Sequence, residues 1–202
     1  MKKLMIIGAG GHGRVIADIA QKLGYSEISF LDDGNVTTNM NLLVLGKIEE
    51  WKKYIDSYVF FVAIGNRRTR ERVLQMLLDG GAKVETLIHP SAIIGYGVTL
   101  GTGCAVMAGA VINPCVKIGK GGIVNTCASV DHDCILGDYV HVAIGAHLAG
   151  DVNVGDYVWI GAGATIKESL TLCTNSIIGA GATVVKNITE EGKYIGTPAR
   201  KM

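Results

Sequence analysis

Every sixth residue from Ile88 to Val184 is isoleucine, leucine or valine, a series of seventeen positions without a miss. These three types make up only 57 of the 202 residues, so the run is not chance. Four residues after each aliphatic stands a second column, Ala92, Val98, Cys104, Ala110 and onward to Ile188, mostly small and never charged. Two such columns must point into a narrow interior. The residue directly after each aliphatic is Gly, Asn or Asp in ten of the seventeen repeats, Gly95, Asn113, Asn125, Asp131 and Gly155 among them. Those types tolerate positive φ, so a corner is expected at that column. Short strand, corner, short strand every six residues describes a triangular solenoid with about eighteen residues per coil. At a strand spacing of about 4.8 Å, five to six coils make a prism roughly 25 Å long.

The residues before the repeat follow another rule. "KKLMIIGAGGHGRVIADIAQKLG" reads as strand, glycine-rich turn and amphipathic helix; "EISFLDD" and "YVFFVAIGN" read as further strands; "RRTRERVLQMLLDGGAKVETLI" adds a helix and a strand. This is a small open α/β unit over 1–86, followed by the solenoid over 87–202. Gly8, Gly10 and Gly13 match G-x-G-x-x-G between strand and helix, where free N–H groups and the helix dipole favour phosphate. Asp32 or Asp33, some twenty residues on, is placed to hold a ribose hydroxyl. Alone the motif says NAD. However, the unit has about half the strands of a full dinucleotide domain and no hydride-transfer domain follows, so a nucleotide with one diphosphate, such as a nucleotide sugar, fits better.

A formal charge of +1 argues against nucleic acid, and no run of like charge suggests a membrane surface. Five cysteines without a C-x-x-C pair indicate neither a disulfide framework nor a zinc knuckle. The opening apolar run breaks into glycine after four residues, and no stretch approaches transmembrane length, so the chain is expected in the cytoplasm.

The two-column repeat resembles the hexapeptide-repeat acyltransferases, which fold as a left-handed parallel β-helix and pack as trimers. With a Rossmann-like unit in front, the chain is similar to bacterial acetyltransferases of nucleotide-linked amino sugars, as in UDP-N-acetylbacillosamine biosynthesis, and of related sialic acid or perosamine substrates. The matching segments are "GAGGHG", "FLDD", "AIGN", "LIHPSA", "VNTCASVDHDC", "GDYVHV", "LAGDV" and "GKYIGTPARKM". The resemblance implies acetyl-CoA as co-substrate, no metal, and an acceptor that is a UDP-amino sugar. It implies that Gly10, Gly11 and His12 contact the nucleotide sugar, that Asp32 and Asp33 hold its uridine end and that Gly65 lines the same site. It makes His132 the general base with Asp133 as partner, where the bacillosamine-type enzymes carry glutamate. His141 would contact acetyl-CoA, Ala162 and Ala180 would line the pantetheine track with their backbones, and Asn125 would touch acceptor or cofactor.

Residue positions can be weighed beside that. Asn125 and Asp131 fall in the corner column, where a turn residue with positive φ is a sufficient reason for them. His132 and Asp133 point outward, and an imidazole flanked by acids is oriented and made more basic. Alternation turns His141 and His147 out onto flat faces, and a surface role suits His147. His141 follows His132 by nine residues, half a coil, so the two face opposite sides of one prism and would serve one site only across a subunit interface. Cys134 falls in the inward column, and Cys127 has no recognisable base. Three other readings stay open: a zinc-dependent solenoid carbonic anhydrase, whose histidine spacing differs from His132, His141 and His147; a catalytically silent nucleotide-sugar sensor; and O-acetylation of a sialic acid type sugar with the same base.

Overall fold

The computed structural model describes residues 2–35 and 37–202, and the chain divides into two compact units, Met1–Pro90 and Ser91–Met202.

The first unit is built on three parallel strands ordered Glu27–Leu31, Lys3–Ile7, Val59–Val62. The chain leaves the central strand to one side and later crosses to the other. Helix Gly11–Lys22 buries Gly13, Ile16, Ala17, Ile19 and Ala20, and helix Arg67–Asp79 buries Arg70, Val73, Leu74 and Leu77. Asn66 caps the second helix by accepting from Thr69 N at 3.0 Å. The strand expected after that helix shrinks to one parallel bridge, Phe60 with Val84. Two glycines of the turn are required by packing. A Cβ on Gly13 would lie 2.2 Å from Gly8 O, and Gly8 itself has φ +105°.

The second unit is a parallel β-helix with three faces. The first face stacks the pairs 93–94, 111–112, 129–130, 147–148, 165–166 and 183–184; the second stacks 99–100, 117–118, 135–136, 153–154 and 171–172. The third runs from Ala105–Val106 through 123–124, 141–142, 159–160 and 177–178 into Lys193–Ile195 and Arg200–Lys201. Register advances by eighteen residues, Val111 onto Ser129 and Ser129 onto His147. Both columns point inward as the repeat requires. Ala110, Val116, Ala128, Cys134, Ala146, Val152, Val158 and Ala164 are all fully buried, as are Ile112, Val130, Val142, Ile160 and Ile166.

The corner lies two residues later than the glycine column suggested. All fifteen positions of the series 97, 103, 109 and so on to 181 have positive φ, and eight of them are not glycine: Cys115, Cys127, Asp133, Tyr139, Asp151, Tyr157, Ser169 and Asn175. Asn125 and Asp131 are not among them, so positive φ does not account for those two; each stands just before the turn. The glycines of the earlier column answer to stacking instead. A Cβ on Gly101 would lie 2.5 Å from Lys120 N, on Gly155 2.5 Å from Thr174 N, and on Gly161 2.6 Å from Ala180 N. Glycine is thus wanted twice per repeat, once for its φ and once for its missing side chain.

The two causes predict different costs. Gly163 has φ +66° and open space around it, so Gly163→Ala should lose about 1–2 kcal/mol from left-handed strain. Gly155→Ala drives a methyl into the next coil's backbone and should cost about 2–3 kcal/mol or more. Chemical unfolding of both variants should rank Gly155→Ala as the less stable; the reverse order would refute the stacking argument.

Candidate functional site

The corner between the first and second faces carries His132. Asp133 occupies the left-handed position there, with φ 60°. In extended chain adjacent side chains point to opposite sides; the left-handed turn folds them together, and His132 Nδ1 lies 2.8 Å from Asp133 Oδ2. Asp131 Oδ1 accepts from His132 N at 2.8 Å and from Asn113 Nδ2 at 2.7 Å, which braces the corner against the coil below. Those two bonds, the backbone one foremost, hold the Asp131 carboxyl below its ordinary pKa. On the coil above is Gly150, where a Cβ would lie 2.6 Å from both Cε1 and Nε2 of His132. The imidazole thus lies against a residue with no side chain, its Nδ1 edge on Asp133 and more than half of its surface in solvent. The bond to Asp133 raises the pKa of His132 above its ordinary value; desolvation opposes this, and the charges of Asp131, Asp133 and Asp151 add to it. An imidazole oriented by a carboxylate, with Nε2 on the other edge, can take a proton from an incoming nucleophile.

His141 belongs to the third face, on its outer side as alternation requires, yet it is only 7% exposed. It stands in register between Ile123 and Trp159, with the indole ring centroid 4.3 Å away, so the expectation of a solvent-facing imidazole is corrected. Asn125 is its hydrogen-bonding neighbour. The Asn125 Oδ1 accepts from Thr126 N at 2.8 Å, which turns Nδ2 toward His141 Nε2 at 3.2 Å. Nε2 is therefore the acceptor and Nδ1 carries the proton. Ala162 and Ala180 are exposed one coil apart at the corner between the third and first faces, where Gly163 N donates to Ile144 O and Gly181 N to Ala162 O. His141, Asn125, Ala162 and Ala180 thus share one side of the helix, while His132 and Asp133 occupy another corner. His147 is exposed on the first face and pairs through Nδ1 with Ser129 Oγ at 2.8 Å. Cys134 is buried and its Sγ donates to Ala149 O.

In the first unit the glycine loop is braced from within. Asp32 Oδ2 accepts from Ala9 N at 2.7 Å and its Oδ1 from Gly34 N at 2.7 Å, while buried Asn39 donates to Ala9 O. Asp33 Oδ1 accepts from Ile48 N at 3.0 Å. Two carboxylates expected to face a ligand thus also serve the fold, through three of their oxygens. Nothing lies within 4 Å of a Cβ built on Gly10 or Gly65, so the chain's own packing does not demand glycine at either position. His12 Nε2 is buried and has no hydrogen-bond partner among the described residues. Burial first, and the charge of Arg70 second, push the His12 pKa down to about 4, which keeps the imidazole neutral. A separate cleft of about 400 Å³ lies on the same unit, lined by Asp33, Lys47, Ile48, Glu49, Arg72, Val73 and Met76. Among the described residues no group of three His, Cys, Asp or Glu side chains is arranged to hold a metal ion, and no helix is long and apolar enough to cross a membrane.

Residues 3–77 match the family described as PglD N-terminal domain, and residues 151–186 match bacterial transferase hexapeptide (six repeats). The GDP-perosamine N-acetyltransferase of Escherichia coli O157:H7 is 32% identical over 155 residues, 73% of this chain and 70% of that protein. The chain belongs to the acetyl-CoA-dependent, hexapeptide-repeat N-acetyltransferases. The solved acetyltransferase domain of PglB from Neisseria gonorrhoeae FA1090, in complex with acetyl coenzyme A, superposes with a TM-score of 0.97 at 38% identity, covering 100% of this chain and 99% of that one. The UDP-N-acetylbacillosamine N-acetyltransferase of Bacillus subtilis (strain 168) is 33% identical over 117 residues, 54% of this chain; the match spans about half of that relative, 52%.

Reasoning from motifs passed over Asn39, Arg70 and Gly150. Arg70 alone left a readable trace, since it heads an i, i+3, i+4, i+7 stripe whose other members are Val73, Leu74 and Leu77. Gly150 lies inside the segment "LAGDV", but its contact with His132 and that of Asn39 with Ala9 join residues distant in sequence, which no local pattern marks.

Proposed function

We propose that this chain transfers the acetyl group of acetyl-CoA to the 4-amino group of a UDP-linked sugar, with His132 as general base. The observation that carries this reading is the His132–Asp133 pair on its outward corner, Nδ1 to Oδ2 at 2.8 Å, with the other edge of the ring over Gly150. The neutral amine attacks the thioester carbonyl while His132 Nε2 takes its proton. Asp133 stabilises the imidazolium, the C–S bond breaks as the tetrahedral adduct collapses, and the proton passes to the departing thiolate. Gly10, Gly11, His12, Asp32, Asp33 and Gly65 of the first unit hold the nucleotide end of the acceptor, with Asn125 touching acceptor or cofactor. His141, Ala162 and Ala180 hold acetyl-CoA. Because these donor residues and the base occupy different sides of one helix, a homotrimer completes each active site between two chains. The reaction belongs in the cytoplasm.

The related proteins divide between UDP and GDP in their names, so the decisive assay is thiol release from acetyl-CoA against matched UDP- and GDP-linked 4-amino sugars and a sialic acid, with each product identified by mass. Release only with a UDP-linked amine supports the reading. Turnover with the GDP sugar alone would overturn the nucleotide, and acetylation of a hydroxyl would overturn the chemistry.

A pH profile probes the pair itself. The base works as neutral imidazole, so the acid limb of kcat/KM follows the raised pKa of His132. Asp133→Asn keeps a residue that tolerates the left-handed backbone and removes the carboxylate. Its acid limb should move to lower pH while the plateau falls. An unmoved limb would detach Asp133 from the base.

A further inference from the structure

The second helix of the first unit buries an arginine where its own pattern asks for a hydrocarbon. Arg70 is 1% exposed, and taking a guanidinium out of water is costly unless its donors are met. Its Nη1 donates to Ile64 O at 3.0 Å and to Gly65 O at 2.9 Å. Both carbonyls lie in the loop that follows strand Val59–Val62. That strand pairs with the central strand Lys3–Ile7, at whose carboxyl end the glycine loop begins. Because the chain leaves the central strand to one side and returns on the other, the crevice between these two loops is the switch point where open parallel sheets take ligands.

A trans peptide sets its C=O and the following N–H in opposite directions. Two successive carbonyls drawn onto Arg70 therefore turn the N–H groups of Gly65 and Asn66 away from it, and successive backbone N–H groups facing one way form an anion-binding concavity. Gly65 leaves open the space that a Cβ would fill. His12, on the glycine loop, has a buried Nε2 with no partner among the described residues and is kept neutral by burial and, second, by the charge of Arg70.

We infer that Arg70 is a positioning residue for the acceptor's diphosphate: by holding the carbonyls of Ile64 and Gly65 it presents the N–H groups of Gly65 and Asn66 to the phosphate oxygens without touching the ligand. The inference rests on the nucleotide-sugar reading above and adds to it the group that shapes the phosphate subsite.

Calorimetry on the full chain with UDP, GDP, uridine and guanosine tests it. The wild type should bind one of the two diphosphates; binding neither would overturn the nucleotide reading and this inference with it. For the diphosphate that binds, Arg70→Gln should weaken affinity at least about tenfold, with the matching nucleoside, kcat and the KM for acetyl-CoA within about twofold of wild type. Wild-type diphosphate affinity in a folded Arg70→Gln chain would overturn the inference alone. Should that variant not fold, the wild type still decides: the amide resonances of Gly65 and Asn66 should move downfield on adding the diphosphate and stay in place on adding the nucleoside. Amides that ignore the diphosphate would also overturn it.

Discussion

Replacing His132 with alanine is expected to lower kcat by at least about a hundredfold while leaving acetyl-CoA binding nearly unchanged. The imidazole is the titratable group that Asp133 orients at 2.8 Å, and the residues assigned to the donor lie on another side of the helix. A base acts on the transition state, so its loss belongs in kcat, whereas a binding contact would appear in KM. Removing the side chain also empties the space over Gly150 without disturbing a packed core, because more than half of the His132 surface is in solvent. Unfolding midpoints should therefore stay close to wild type. Steady-state kinetics with equilibrium binding of acetyl-CoA separates the cases, and turnover within a few fold of wild type would remove His132 from the mechanism.

The architecture was legible to the extent that one physical requirement mapped onto one column. Filling a narrow interior requires an aliphatic residue at one position and a small one at the other, and both columns are buried from Cys104 onward as the repeat demands. The corner was misplaced because glycine answered two requirements at once. Gly101 and Gly155 are glycine for lack of room, while the strained column admits Tyr139 and Tyr157, whose rings stack 5.5 Å apart, in place of glycine. Residue type reported the crowding more faithfully than the dihedral. The same limit applies to the candidate site. His132 and Asp133 are neighbours in sequence and could be read as a pair, but the burial of His141 beside Trp159 and its bond to Asn125 depend on partners a coil away. Asp32 was legible as an acid after a strand; that its oxygens brace Ala9 and Gly34 was not, since only the folded loop brings those N–H groups to it.

Coexpression of His132→Ala and His141→Ala chains is expected to restore activity that neither variant has alone. His132 sits at the corner between the first and second faces and His141 on the third, so an active site that uses both must draw them from two chains. Trimers form through head-to-tail interfaces that close into a ring. In a ring of two chains of one variant and one of the other, one interface joins a wild-type His132 to a wild-type His141, one lacks both, and the third lacks one. Each mixed trimer should therefore regain about one third of wild-type turnover, whichever variant is in excess. The two chains would carry different tags, mixed species would be isolated by sequential affinity steps, and turnover would be compared with each parent. The comparison has force only when His141→Ala by itself is clearly slower, which its steady-state constants establish first. Given that, mixed trimers no faster than their parents would mean that one chain holds a complete site, and the assignment of His141 to the donor would have to be abandoned.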